Sequence, residues 1–401
     1  MTKHKVAMLT AGGLAPCLSS SVAELITGYT RLDRDIPMIG YVGGYAGLLR
    51  GASVEVTPAV RERAHILHGH GGSPLGNSRV KLSNVADCVK RGLVGEGCEP
   101  FRVAAEQLAR DEVTILHTIG GDDTSTTAAE LARYLAENGY KLTVVGLPKT
   151  VDNDIVPVRQ SLGALTAADQ GAAFFGNFGH ERTAAHRTLL VHEVMGRDSG
   201  WLTAATARAY RERLRGAEFL PEFNLPQAYL ALDAVYVPES PFDVAAEGER
   251  LAAVMADKGA VSVFVSEGAN AGRIVEEMVA NGEEVVRDAF GHVALDKVNV
   301  GAWLGRRLAK LVGAERTLVQ KSGYFARSAP ANAKDRELIA VMAQKACESA
   351  LAGISGLVGH DMARGDELRV IELERIAGGK RFDPGERWFR EMLEEMGQPQ
   401  P

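Results

Sequence analysis

Thr118-Ile119-Gly120-Gly121-Asp122-Asp123-Thr124-Ser125, followed by Leu147-Pro148-Lys149-Thr150-Val151-Asp152-Asn153-Asp154, decides the fold of this chain. Each stretch closes an apolar run, Val113 to Ile119 and Leu142 to Leu147, that predicts a strand. Both strands would deliver polar residues at the carboxyl edge of a sheet, where open α/β folds bind ligands. Thr124 or Ser125 is predicted to cap a helix whose apolar positions, Ala128, Leu131, Tyr134 and Leu135, follow at helical spacing.

The residue types at that edge point to phosphate chemistry. Gly120 and Gly121 allow close backbone approach, and amides at a helix start attract anions. Two adjacent carboxylates, Asp122 and Asp123, would repel a bare phosphate. Magnesium resolves the conflict, because one or two carboxylates plus substrate phosphates commonly hold it. In the second stretch Val156 precedes Pro157 and is biased toward extended backbone, which would put Asp152 and Asp154 on one face. One of these carboxylates could accept a proton from an attacking hydroxyl while Lys149 neutralises phosphate charge.

Working outward, the first part of the chain alternates predicted strands with helices: Val6 to Thr10, a helix after Pro16, Ile36 to Val42, then the two runs above. The alternation resumes with Thr188 to Val194, Ala234 to Val237, a helix over Val244 to Lys258, Val261 to Ser266 and Thr317 to Gln320. It implies an α/β fold of two Rossmann-like lobes, with mainly parallel sheets covered by helices. A long helix is predicted over Ala331 to Ala352, with Gly353 as its stop. The glycine-rich segment from Gly43 to Val103 resists assignment, Glu391 to Glu395 reads as a solvated helix face, and Pro399-Gln400-Pro401 reads as a frayed end.

Taken together with Leu9-Thr10-Ala11-Gly12-Gly13, Gly76-Asn77-Ser78-Arg79, Met195-Gly196-Arg197, Val265-Ser266-Glu267-Gly268 and Gly323-Tyr324-Phe325-Ala326-Arg327, the two stretches resemble the phosphofructokinase family over nearly the whole chain. Asp123 and Lys149 stand where members that use ATP generally have glycine, so the chain looks like the pyrophosphate-dependent branch. An aspartate there would fill and charge the space that an ATP α-phosphate needs. Tyr324, where many ATP-using relatives have histidine, is similar to the same branch. The amino-terminal loop reads Gly12-Gly13-Leu14-Ala15-Pro16-Cys17 instead of the usual Gly-Gly-Asp-Ala-Pro-Gly.

The resemblance implies reversible, magnesium-dependent transfer of a phosphoryl group from pyrophosphate to the 1-hydroxyl of fructose 6-phosphate. It implies Asp152 as the general base, Asp122 as the metal ligand, and Lys149, Asp123 and Arg197 around the transferring group. Gly12, Arg79, Gly121 and Thr124 would hold the donor. Thr150, Asp152, Met195, Gly196, Arg197, Glu267, Tyr324 and Arg327 would hold the sugar phosphate, with Arg327 on the 6-phosphate. Asp154 has both a structural and a catalytic reading. The family often adds phosphate-binding cations from a neighbouring subunit, which implies a homodimer or homotetramer; Arg187 lies one residue from the position expected for one of them, and Arg316 and Lys321 compete for another. A donor lobe of residues 1–163 with 328–377 and a sugar-phosphate lobe of 164–327 with 378–401 are expected. ATP-dependent phosphofructokinase, a sedoheptulose 7-phosphate kinase and a non-catalytic sugar-phosphate sensor are the competing readings.

Composition agrees with a two-domain enzyme. The chain has 401 residues, 46% hydrophobic and 24% charged, more than one core ordinarily accommodates. A net charge of -6 without a Lys/Arg-rich run argues against a nucleic-acid surface, so anionic substrates need a local basic pocket. Four sparse cysteines, no membrane-length apolar run and no signal-peptide pattern at Met1-Thr2-Lys3-His4-Lys5 make cytoplasmic location the default. His65, His68 and His70 are spaced like zinc ligands, but no further ligand follows; solvated or packing roles compete.

Overall fold

Among residues 4–286 and 298–401, which the computed structural model describes, the apolar runs become eleven strands. They are β1 (Val6–Thr10), β2 (Met38–Tyr41), β3 (Ser53–Glu55), β4 (Ile115–Gly120), β5 (Thr143–Pro148), β6 (Thr188–Val194), β7 (Ala234–Tyr236), β8 (Ala260–Ser266), β9 (Arg316–Lys321), β10 (Gly356–Asp361) and β11 (Glu367–Ile371). Met1, Thr2 and Lys3 of the amino-terminal reading, and residues 287–297 of the expected second lobe, lie outside the described residues.

The chain divides into two units. Unit 1 comprises Met1–Thr166 and Arg327–Lys380. Its seven-stranded sheet runs β11-β10-β5-β4-β1-β2-β3, parallel except for the antiparallel edges β2/β3 and β10/β11. The β10/β11 hairpin, which the strand alternation does not predict, extends the sheet beyond β5. Strands β1, β4 and β5 are buried throughout, as parallel strands covered on both faces must be. Inside this core Tyr29 Oη lies 2.6 Å from His117 Nε2, and His117 Nδ1 lies 3.0 Å from Val145 O.

Unit 2 comprises Ala167–Ala326 and Arg381–Pro401, with an all-parallel sheet ordered β7-β8-β6-β9. Its core holds Phe175 edge-on to Phe264 with ring centroids 4.6 Å apart, and each such buried side chain contributes about 1.5–3 kcal/mol. The tail helix Arg387–Glu395 departs from the expected solvated face. Phe389, Met392 and Leu393 are buried in this core while Glu391, Glu394 and Glu395 face solvent. Apolar residues spaced three and four apart give the helix an inward stripe.

The unit boundaries have local causes. Ala164–Thr166 stay with unit 1 because Asp335, in the helix Ala333–Leu351, accepts from Gly163 N at 3.0 Å and Thr166 N at 2.7 Å. Residues 378–380 stay there because Lys380 is bonded to the loop after Asp152. Arg327 opens the returning segment of unit 1. No described helix is long and apolar enough to cross a membrane.

Candidate active site

Parallel register gathers the first group of side chains. Thr10 pairs with Ile119 and Gly120 with Pro148, so β1, β4 and β5 end together. Gly12, Asp122 and Lys149 therefore leave the sheet at one edge. Gly12 takes a left-handed φ of 81° and donates its N–H to Ser78 O at 2.9 Å, and Asn77 Nδ2 donates to Gly12 O at 3.2 Å. A loop held this way turns backbone toward a small pocket of about 430 Å³ lined by Gly12, Gly13, Leu14, Asn77, Ser78, Arg79, Arg91 and Arg327. Arg327, expected on the sugar phosphate, thus lines one pocket with the expected donor residues Gly12 and Arg79.

Lys149 is almost fully buried, and its Nζ donates to Gly13 O at 2.7 Å. Burial pushes its pKa below the usual lysine value, against the opposing pull of Cys17, Asp152 and Asp154. Asp123 is different. Its side chain is 64% exposed and its Oδ1 lies 2.7 Å from Lys81 Nζ, so its charge has a cationic partner that the motif reading missed.

Two local expectations need correction. The helix after β4 is Asp122–Glu137 with Gly121 as N-cap, so neither Thr124 nor Ser125 caps it. Both are buried in its first turn, and Ser125 Oγ donates back to Gly121 O at 3.1 Å. Asp122 and Asp123 then sit in the first turn, where the helix dipole favours acids. Asp152 and Asp154 do not share one face of an extended run either: Asn153 between them has a left-handed φ of 53°, which breaks the alternation. Asp152 N donates to Thr150 Oγ1 at 3.1 Å. Burial raises the Asp154 pKa, the Asp122 carboxylate raises it further, and the Thr150 hydroxyl and Lys380 ammonium oppose the rise.

Asp122 and Asp154 are thus electrostatic neighbours. Among the described residues no group of three or more His, Cys, Asp or Glu side chains is placed to hold a metal. An ion here would take one or two carboxylates and complete its sphere from donor oxygens and water, which suits magnesium. His68 instead lies 3.1 Å from Ser20 Oγ and 3.2 Å from Glu24 Oε1.

Unit 2 gathers the second group. Met195, Gly196 and Arg197 follow β6, and Glu267 follows the adjacent strand β8. Glu267 Oε1 accepts from Gly196 N at 3.3 Å and Arg197 N at 3.2 Å, which fixes the carboxylate and the turn together. Burial raises the Glu267 pKa, and those two amides counter it. Gly323 packs on Met195: a Cβ there would lie 2.8 Å from Sδ. Tyr324 is 79% exposed. Arg187, Arg316 and Lys321 are all engaged within the unit. Arg187 donates to Val312 O and Gly313 O at 2.6 Å each, Arg316 pairs with Glu181 at 2.9 Å, and Lys321 pairs with the buried Glu193 at 2.7 Å.

Sequence reasoning missed Lys81, Arg91 and Lys380. Arg91 belongs to the glycine-rich stretch that carries no clear periodicity, and Lys380 follows the β10/β11 hairpin, which the strand alternation does not mark. No motif marks either.

The phosphofructokinase family profile matches residues 5–350. The pyrophosphate--fructose 6-phosphate 1-phosphotransferase of Methylotuvimicrobium alcaliphilum is 57% identical over 394 residues, covering 98% of this chain and 96% of that protein. The enzyme of the same name from Propionibacterium freudenreichii is 56% identical over 397 residues, covering 99% and 98%. The crystal structure of the pyrophosphate-dependent phosphofructokinase of Marinobacter aquaeolei shares the fold, with a TM-score of 0.71 and 19% identity over 99% of this chain and 92% of that one.

Proposed function

The chain belongs to the phosphofructokinase family, and from that premise we propose that it transfers a phosphoryl group reversibly from pyrophosphate to the 1-hydroxyl of fructose 6-phosphate. The products are fructose 1,6-bisphosphate and phosphate. One observation carries the reading: relatives 56–57% identical over almost the entire chain bear the name of this activity. The placement of Lys149 on the Gly12-Gly13 loop, at the shared end of three parallel strands, supports the donor half.

In the reaction Asp152 takes the proton of the 1-hydroxyl, that oxygen attacks the terminal phosphorus, and the bridging P–O bond breaks to release phosphate. Lys149 and Arg79 offset negative charge on the donor, which the Gly12, Gly121 and Thr124 backbone approaches closely. Magnesium held by Asp122, with Asp154 beside it, would neutralise the donor oxygens when bound. Arg197 contacts the transferring group or the sugar phosphate. Met195, Gly196, Thr150, Glu267 and Tyr324 select the sugar, and Arg327 binds phosphate. Asp123 disfavours ATP mainly by its bulk, because Lys81 offsets its charge. We take unit 1 as the donor-binding part and unit 2 as the part that recognises the sugar.

The proposed assembly is a homodimer or homotetramer. The four free cysteines support a reducing, cytoplasmic setting. Fructose 1,6-bisphosphate formation from fructose 6-phosphate and magnesium, with pyrophosphate and ATP supplied separately, tests the function. Turnover with pyrophosphate alone is expected, and turnover with ATP alone overturns the donor assignment.

A further inference from the structure

The loop that carries Asp152 and Asp154 runs between β5 and the helix Ala164–Phe178 with only isolated bridges for regular structure. A catalytic base must nevertheless be held closely, since a misplacement of about 1 Å can cost about 10²-fold in rate. The restraint comes from far along the chain. After β11, Val156 N donates to Ala377 O at 2.7 Å, Ala377 N to Val156 O at 3.2 Å, and Lys380 N to Asp154 O at 2.9 Å. The Lys380 ammonium then donates to Val158 O at 2.6 Å, Arg159 O at 3.1 Å and Asn153 Oδ1 at 3.3 Å. Three acceptors occupy the three protons of the ammonium. Asn153 closes the brace: its Oδ1 also accepts from Ser161 N at 2.9 Å, and its Nδ2 donates to Arg159 O at 3.3 Å.

Two residues before Lys380, the same segment meets the other carboxylate. A Cβ on Gly378 would overlap Asp122 Oδ2 and lie 2.9 Å from its Cγ. Asp122 has a short side chain in the first turn of a helix, so it has little room to yield. One segment therefore touches both Asp122 and the backbone around Asp152 and Asp154. It lies beyond residue 350, where the family match ends.

We infer that Gly378 and Lys380 are positioning residues for phosphoryl transfer: Gly378 keeps open the space that the Asp122 carboxylate occupies, and Lys380 fixes the backbone that aims Asp152 and Asp154. The inference rests on the pyrophosphate-dependent reading above. Lys380 acts through the loop, since its protons are already directed at protein acceptors.

The test compares the full-length wild type with Lys380→Met, Gly378→Ala and Lys380→Cys, the last before and after alkylation with bromoethylamine, which rebuilds an ammonium of lysine length; alkylated wild type is the control. Steady-state kinetics are read beside thermal melting, and Mn²⁺ binding with methylenebisphosphonate is followed by water-proton relaxation without turnover. Lys380→Met should lower kcat by about 10–100-fold, the usual effect of removing a group that orients catalytic ligands, and leave the KM for fructose 6-phosphate within about twofold. Alkylation of Lys380→Cys should restore most of the loss, and Gly378→Ala should weaken Mn²⁺ binding by about tenfold. Normal kcat in Lys380→Met, or a loss that follows the melting temperature and is not restored by the rebuilt ammonium, overturns the role of Lys380. Unchanged Mn²⁺ binding in Gly378→Ala overturns that of Gly378. Should the wild type itself not turn over pyrophosphate, the donor reading fails separately, and unchanged Mn²⁺ binding in Gly378→Ala and Lys380→Met then overturns the inference.

Discussion

Lys149→Met separates what this lysine does for the fold from what it does for the reaction. The Nζ is buried and donates to Gly13 O at 2.7 Å, yet burial lowers its pKa overall, so its environment disfavours the charged form. Methionine retains the apolar stem and removes the charge, so stability should hold or rise. The sign follows from linkage. Between the lowered folded pKa and the unfolded value of about 10.4, the unfolded chain binds more protons, and stability rises with pH. The variant should flatten that rise. For the reaction, a hydrogen bond from a charged group contributes about 1.5–3 kcal/mol, which corresponds to about 10- to 150-fold. We expect kcat/KM for pyrophosphate to fall by that factor while the KM for fructose 6-phosphate stays within about twofold. A coupled assay of fructose 1,6-bisphosphate and a melting curve across alkaline pH read both effects. Unchanged pyrophosphate kinetics, or a melting temperature that drops in step with activity, would refute the reasoning.

Asp152→Asn preserves the shape of the side chain and its backbone bond to Thr150, so kcat should fall about 10²–10⁴-fold with little change in either KM; near-normal turnover would remove Asp152 from the base role. Asp123→Gly combined with Lys149→Gly should weaken pyrophosphate use and admit measurable ATP turnover, and unchanged donor kinetics would show that the specificity lies elsewhere. His117 is buried neutral, with its pKa pushed down to about 4 chiefly by burial. Its stabilising contribution is complete above the unfolded value of about 6.5 and is lost as pH falls toward 4, by up to about 1.4 kcal/mol per pH unit. Denaturant unfolding of His117→Gln should therefore show a shallower acid dependence than the wild type; identical slopes would contradict the assignment.

Apolar runs ending in Ile119 and Leu147 marked strands that could only be buried, and the polar residues after them had to meet at a sheet edge, because chain direction in parallel strands leaves no other place. The same logic marked Met195 to Arg197 and Glu267 after β6 and β8. These are local signals, carried by the spacing of apolar residues and by short motifs. Tertiary structure alone decided the rest. It turned Asn153 left-handed and so broke the extended alternation between Asp152 and Asp154, placed Lys81 on Asp123, and brought Arg91 and Arg327 to the Gly12 loop. It also returned Gly378 and Lys380 to the carboxylates from the far end of unit 1. Such contacts join residues far apart in the chain, 227 positions in the case of Lys380 and Asn153. Neither periodicity nor a motif encodes such a meeting, because it depends on how the whole sheet stacks its strands and where each connecting loop returns.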